Sequence, residues 1–76
     1  MKFTEWQKTR RYVDDLRAAT GDDSIDNNVG GFIYEPGYIE ESGGAGYCVT
    51  VYNEGLQTAD LEEAEKFLFD RFVTDL

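Results

Sequence analysis

The run Gly46-Tyr47-Cys48-Val49-Thr50-Val51-Tyr52 lies between two turn signals, and that placement leaves the chain few folds to choose from. β-Branched and aromatic residues crowd it. It reads as a strand with Tyr47, Val49 and Val51 on one face and Cys48, Thr50 and Tyr52 on the other. Ser42-Gly43-Gly44-Ala45-Gly46 before it is a hairpin loop by composition, and Asn53-Glu54-Gly55 after it supplies a tight turn. Connections this short join antiparallel strands, because a parallel crossover needs a long connection. Phe32-Ile33-Tyr34 then reads as an earlier strand stopped at Pro36-Gly37, with Tyr38 to Glu41 continuing or restarting it. Leu56 to Ala59 reads as a later one.

A helix is expected on either side of the strands. Thr4-Glu5-Trp6-Gln7 has capping-box form, Trp6, Val13 and Leu16 recur at helical spacing, and Gly21 suits the left-handed residue that ends a helix. Asp60 is the expected N-cap of the second helix, whose apolar stripe is Leu61, Ala64, Phe67, Leu68 and Phe72. The expected class is α+β: an N-terminal helix, an antiparallel sheet of three or four strands, and a C-terminal helix, with both helices on one sheet face. Seventy-six residues make a single domain, 1–76, near the lower limit for one hydrophobic core. The other sheet face, with some of Tyr34, Tyr38 and Tyr52, would meet solvent or a partner.

Charge is unevenly distributed along this frame. Residues 1–17 carry five bases and three acids, whereas residues 18–76 carry two bases and thirteen acids, for a net charge of −9. From Ala18 to Glu65, 48 residues pass without a lysine, arginine or histidine while eleven carboxylates accumulate. Direct binding to nucleic acid or to an anionic membrane needs basic residues in number and is not expected. With no histidine, Ser24, Ser42 and Cys48 have no imidazole to activate them, and so small a chain has little interior in which to raise a carboxylate pKa. An enzyme is therefore not expected. A single cysteine excludes an intramolecular disulfide, and Cys48 reads as a buried, inert thiol. No apolar run has the form of a signal peptide or a membrane span, so a cytoplasmic location is expected, that of the host if the chain is phage-encoded.

Three local patterns suggest chemistry and stop short of it. Gly21-Asp22-Asp23-Ser24-Ile25 resembles the element of acyl carrier proteins whose serine takes a phosphopantetheine arm. The resemblance ends after five residues, because Asn27-Asn28-Val29-Gly30-Gly31 does not open a helix. Asp22, Ser24, Asp26 and Asn28 alternate as the first ligands of a calcium loop do, yet Asn27 and Ile33 stand where that loop needs glycine and a bidentate glutamate. Gly43-Gly44-Ala45-Gly46 leads into a strand with no base nearby, unlike a phosphate loop. No cofactor and no metal site is expected.

The acidic surface itself remains. Carboxylates on a rigid scaffold can occupy Lys/Arg sites that otherwise bind phosphates, since such sites respond to charge before sequence. The expected function is a small non-enzymatic protein that blocks a basic, nucleic-acid-binding protein surface. Its charge-bearing residues would be Glu35, Glu40, Glu41, Glu54, Glu62, Glu63 and Glu65, with Tyr34 and Tyr38 as packing anchors. In size, charge and layout the chain looks like small phage or mobile-element inhibitors of host nucleic-acid machinery, anti-CRISPR proteins included. The alternative is a structural or assembly module that forms a homodimer, or joins a complex, through an aromatic sheet face.

Overall fold

The computed structural model describes residues 1–74. The elements in chain order are α1 (Phe3–Gln7), β1 (Arg11–Val13), α2 (Leu16–Thr20), β2 (Gly31–Ile33), β3 (Tyr38–Glu41), β4 (Tyr47–Val51), β5 (Glu54–Thr58) and α3 (Leu61–Leu68). A 3-10 turn, Gly43–Ala45, lies between β3 and β4, and a π-helical turn, Phe69–Val73, extends α3. The fold is α+β, with a five-stranded antiparallel sheet in the order β1-β2-β3-β4-β5.

A helix does stand at the N-terminus, but it is one short turn rather than a run to Gly21. Thr4 does not cap it; Lys2 is the N-cap and makes no side-chain bond there. The Thr9 hydroxyl closes the end of the helix by donating to the Trp6 carbonyl at 2.6 Å, and it accepts the Glu35 amide at 2.9 Å. The chain then pairs as an edge strand, with Arg11, Tyr12 and Val13 opposite Ile33, Phe32 and Gly31. Only three apolar residues supported a continuous helix here, and pairing with the open edge of β2 outweighs so weak a propensity. Helix resumes where Asp15 accepts the Ala18 amide, and Gly21 ends it at φ 74°.

Antiparallel partners share a face, so the register sorts the side chains. Phe32 pairs with Ile39, Glu41 with Tyr47, Val49 with Leu56, and these face the main core. That core holds Trp6, Tyr34, Ile39, Val49, Val51, Ala64, Leu68, Phe69 and Val73, so α1 and α3 do share one sheet face. Trp6 anchors it: its ring stacks on Tyr34 at 4.3 Å between centroids, and its Nε1 donates to the Pro36 carbonyl at 2.8 Å.

The opposite face carries Val13, Ile33, Tyr38, Glu40, Cys48, Thr50 and Gln57. Its β1–β2 half is covered. Leu16 of α2 and Ile25 of the following loop are 0% and 2% exposed, yet both lie outside the main core. Gly31 makes this second layer possible, because a Cβ there would meet the Ile39 carbonyl oxygen and lie 3.0 Å from Leu16 Cδ2. The sheet thus has helix on both faces, and only its β3–β5 half is open on the second. Of the three tyrosines expected there, Tyr34 belongs to the core face instead. Cys48, on the open side, is half-buried and accepts the Ser42 hydroxyl at 3.1 Å.

The β4–β5 hairpin turns at Tyr52-Asn53, so β5 begins at Glu54, ahead of the expected Leu56. Tyr52 takes φ 55°, a conformation usually left to glycine or asparagine at a hairpin tip. Asp60 caps α3 by accepting the Glu62 amide at 3.0 Å, as its position in the sequence implied.

Candidate interaction surface

The nine candidate residues separate into three environments. Glu65 and Tyr34 lie in the interior at 1% and 2% exposure. Glu65 is fully engaged there: Oε1 accepts Gln7 Nε2 at 2.9 Å, and Oε2 accepts the Tyr34 hydroxyl at 2.7 Å and Arg10 Nη1 at 3.2 Å. Neither side chain lies at the surface, and both leave the set of surface candidates. Burial and the Glu65 carboxylate hold the Tyr34 phenol well above its ordinary pKa.

Glu54, Glu62 and Glu63 are exposed and Glu41 is half-buried, each with an intramolecular partner. Glu54 pairs with Arg71 at 3.3 Å and Glu62 with Lys66 at 3.5 Å. Glu63 accepts the Thr58 hydroxyl, and Glu41 accepts the Tyr12 hydroxyl at 3.2 Å. Exposed pairs of this kind contribute about 1 kcal/mol or less, so they can be exchanged for a partner at small cost. Glu35 is exposed on the β2–β3 turn.

Glu40 and Tyr38 form the third environment, where the fold collects acids. Glu40 is half-buried on the open sheet face, and its carboxyl is raised above 4.5 by burial first and then by the charges of Asp26 and Asp22. Asp22 is held below its usual range by the Ser24 hydroxyl and amide, which donate at 2.7 Å and 2.9 Å, and by the Tyr38 hydroxyl at 2.8 Å. Tyr38 is in turn pushed up to about 12 by burial and by that bond. Among the described residues, no lysine or arginine pairs with Asp22, Asp26 or Glu40; the nearby Arg17 contacts Asp23 at 3.9 Å and Asn27 at 2.7 Å. Among the same residues, no three acidic or thiol groups converge to hold a metal ion. No described helix is long and apolar enough to cross a membrane.

Beside this cluster lies a feature that sequence reasoning missed. A cavity of about 280 Å³ opens at the end of the sheet where the β2–β3 turn, the β4–β5 hairpin and the end of α3 meet. Pro36, Tyr38, Val51, Tyr52, Leu68 and Phe72 form most of its wall. The Glu35–Pro36 peptide on its rim is cis. Phe72 lines the cavity one turn beyond Leu68, and its ring meets Tyr52 at 6.5 Å. Pro36-Gly37 and the hairpin tip were visible in the sequence as turns, but nothing local showed that they converge.

Comparison of the chain with protein-family models, with curated proteins and with solved structures returned no match.

Proposed function

We propose that this chain is a small acidic, non-enzymatic binding protein that occludes a basic, nucleic-acid-binding surface of another protein, in the manner of nucleic-acid-mimicking phage inhibitors such as anti-CRISPR proteins. The observation that carries the reading is the cluster Asp22, Asp26 and Glu40. Glu40 is raised by its burial first and then by the charges of Asp26 and Asp22, and no basic side chain among the described residues neutralises the three. Holding like charges together without a counter-charge destabilises a monomer and favours a cationic partner. Glu35 extends the acidic surface along the β2–β3 turn, and Glu41, Glu54, Glu62 and Glu63 surround it with exchangeable charge.

The test is capture of partners on the immobilised chain from nuclease-treated lysate, followed by competition of each purified partner with its own nucleic acid. Mutually exclusive binding that weakens as salt rises, and that weakens further with Glu40→Gln and Asp26→Asn, supports the reading. Simultaneous binding of nucleic acid, or affinity indifferent to salt, refutes it.

A second reading rests on an aromatic strip on the core face beyond α3. Tyr12, 48% exposed, meets Phe32 at 5.3 Å, Phe32 meets Tyr47 at 6.1 Å, and the Arg10 guanidinium lies 5.6 Å above the Phe32 ring. Such a strip would suit self-association or docking into an assembly. A concentration-dependent mass in solution that Tyr12→Ser abolishes would favour it over the inhibitor reading.

A further inference from the structure

We propose that the cavity at the Tyr38 end of the sheet receives one large apolar side chain, the size of phenylalanine, leucine or methionine, from a lysine- and arginine-rich segment of the partner. The proposal rests on the acidic-surface reading above and specifies what that surface recognises.

Size selects the kind of occupant. Pockets for drug-sized ligands and cofactors run from about 300 to 1,000 Å³, and this one, at about 280 Å³, lies just below that range. That space also holds one large inserted side chain. The wall supports this: Pro36, Val51, Leu68 and Phe72 are apolar, and Tyr38 and Tyr52 add ring surface. Such walls bind by excluding water from an apolar group and offer little for a polar ligand to grip.

Charge selects what the side chain is attached to. Tyr38 belongs to both features, because it lines the cavity and its hydroxyl donates to Asp22 within the acidic cluster. Glu40 stands two residues further along β3, about 7 Å away by strand geometry, and Glu35 directly precedes the rim residue Pro36. The basic neighbour of Phe72, Arg71, is engaged by Glu54 at 3.3 Å and lies over the Phe67 ring at 4.0 Å. An apolar group arriving at this mouth therefore meets carboxylates, and a segment with basic residues beside its anchor satisfies both. An anchor side chain filling a desolvated pocket carries most of the affinity at such a contact, and the surrounding charges add steering and partner selection.

Titration of the isotope-labelled full chain with the peptide acetyl-Arg-Lys-Phe-Lys-Arg-amide at low salt, followed by amide chemical shifts, tests this. Saturable shifts are expected at Gly37, Tyr38, Thr50 and Val51. An alanine in place of the peptide's phenylalanine should weaken binding by about 10-fold or more, the loss of one buried aromatic side chain. Glutamates in place of its basic residues should abolish binding. In the protein, Thr50→Trp on the cavity wall should block the site; the peptide comparisons need no variant and stand even where that one misfolds. Equal binding of the phenylalanine and alanine peptides, with basic preference kept, overturns the cavity assignment and leaves the acidic-surface reading in place. Equal binding of the glutamate peptide overturns both, and absence of saturable shifts at the cavity overturns the proposal.

Discussion

Replacing Glu65 with leucine sets two opposed effects against each other, and the structure indicates which wins. The carboxylate is 1% exposed and accepts bonds from Tyr34, Gln7 and Arg10. Burying it is itself costly, and an apolar residue of similar size relieves that desolvation. Arg10, with its side chain 40% exposed, regains water when its partner is gone, and so does the half-buried Gln7. Tyr34 does not: at 2% exposure its O–H loses its acceptor, since the neighbouring Arg10 guanidinium can only donate to it, and a buried donor left unpaired costs about 1–3 kcal/mol. Relief of the carboxylate's desolvation offsets part of this, so the expected net destabilisation for Glu65→Leu is about 1–2 kcal/mol. For a domain of this size, whose total stability is of order 4–11 kcal/mol, that lowers the melting temperature by roughly 4–8 °C per kcal/mol. Tyr34→Phe alone should cost about 1.5–3 kcal/mol, the value of a hydrogen bond to a charged group. The combined Glu65→Leu, Tyr34→Phe variant should be no less stable than Glu65→Leu, because no hydroxyl is left stranded. Urea unfolding of the four proteins measures the coupling. Additive costs would show that the stranded hydroxyl is not the source of the loss.

Further outcomes follow from the same structure. Tyr34 has a folded pKa above its ordinary value of 10.0, so the folded state keeps a proton that the unfolded state gives up. Stability should fall as pH rises beyond about 10, less steeply in Tyr34→Phe, as alkaline unfolding monitored by circular dichroism will show. Glu40 is raised above 4.5, so the folded state binds the extra proton and stability should decline as pH rises from there through the folded pKa. Glu40→Gln should remove that decline in thermal melts taken between pH 4 and 7. Gly31→Ala should destabilise by about 1–3 kcal/mol, because the new methyl presses on the Ile39 carbonyl oxygen and Leu16, and loss of protection in α2 by hydrogen exchange would localise the effect.

The strands from Gly31 onward and the cap of α3 were legible because their signals are local: alternation in β4, turns at Pro36-Gly37 and Gly43–Gly46, and Asp60 before an apolar stripe. The N-terminal helix is legible, but its end at Gln7 and the edge strand after it are not, because the deciding contact is distant. Nothing within Arg11-Tyr12-Val13 states that Gly31-Phe32-Ile33 will offer an edge to pair with. Asp15 before Leu16 was a usable cap signal for a second, short helix. By residue type Glu65 reads as a surface charge, although its spacing argues otherwise. Leu61, Ala64, Glu65 and Leu68 fall at i, i+3, i+4 and i+7, which places the carboxylate on the buried stripe. The acidic cluster was half legible: Glu40 and the aspartates of the loop were visible separately, and only the packing of α2 on the second sheet face brings them together.

The strand order follows the chain order, and this affects the lifetime of the folded molecule. After β2, each strand reaches its partner through a loop of two to five residues, so the sheet assembles by small closures of the kind that make folding fast. The bonds from Gln7 and Arg10 to Glu65 span 58 and 55 positions and resemble a clasp fastened after the rest is in place. Interactions absent from the folding transition state act on unfolding alone. Loosening the clasp should leave the folding rate almost unchanged and raise the unfolding rate by nearly the full equilibrium loss, an outcome that stopped-flow folding and unfolding rates of Glu65→Leu would check.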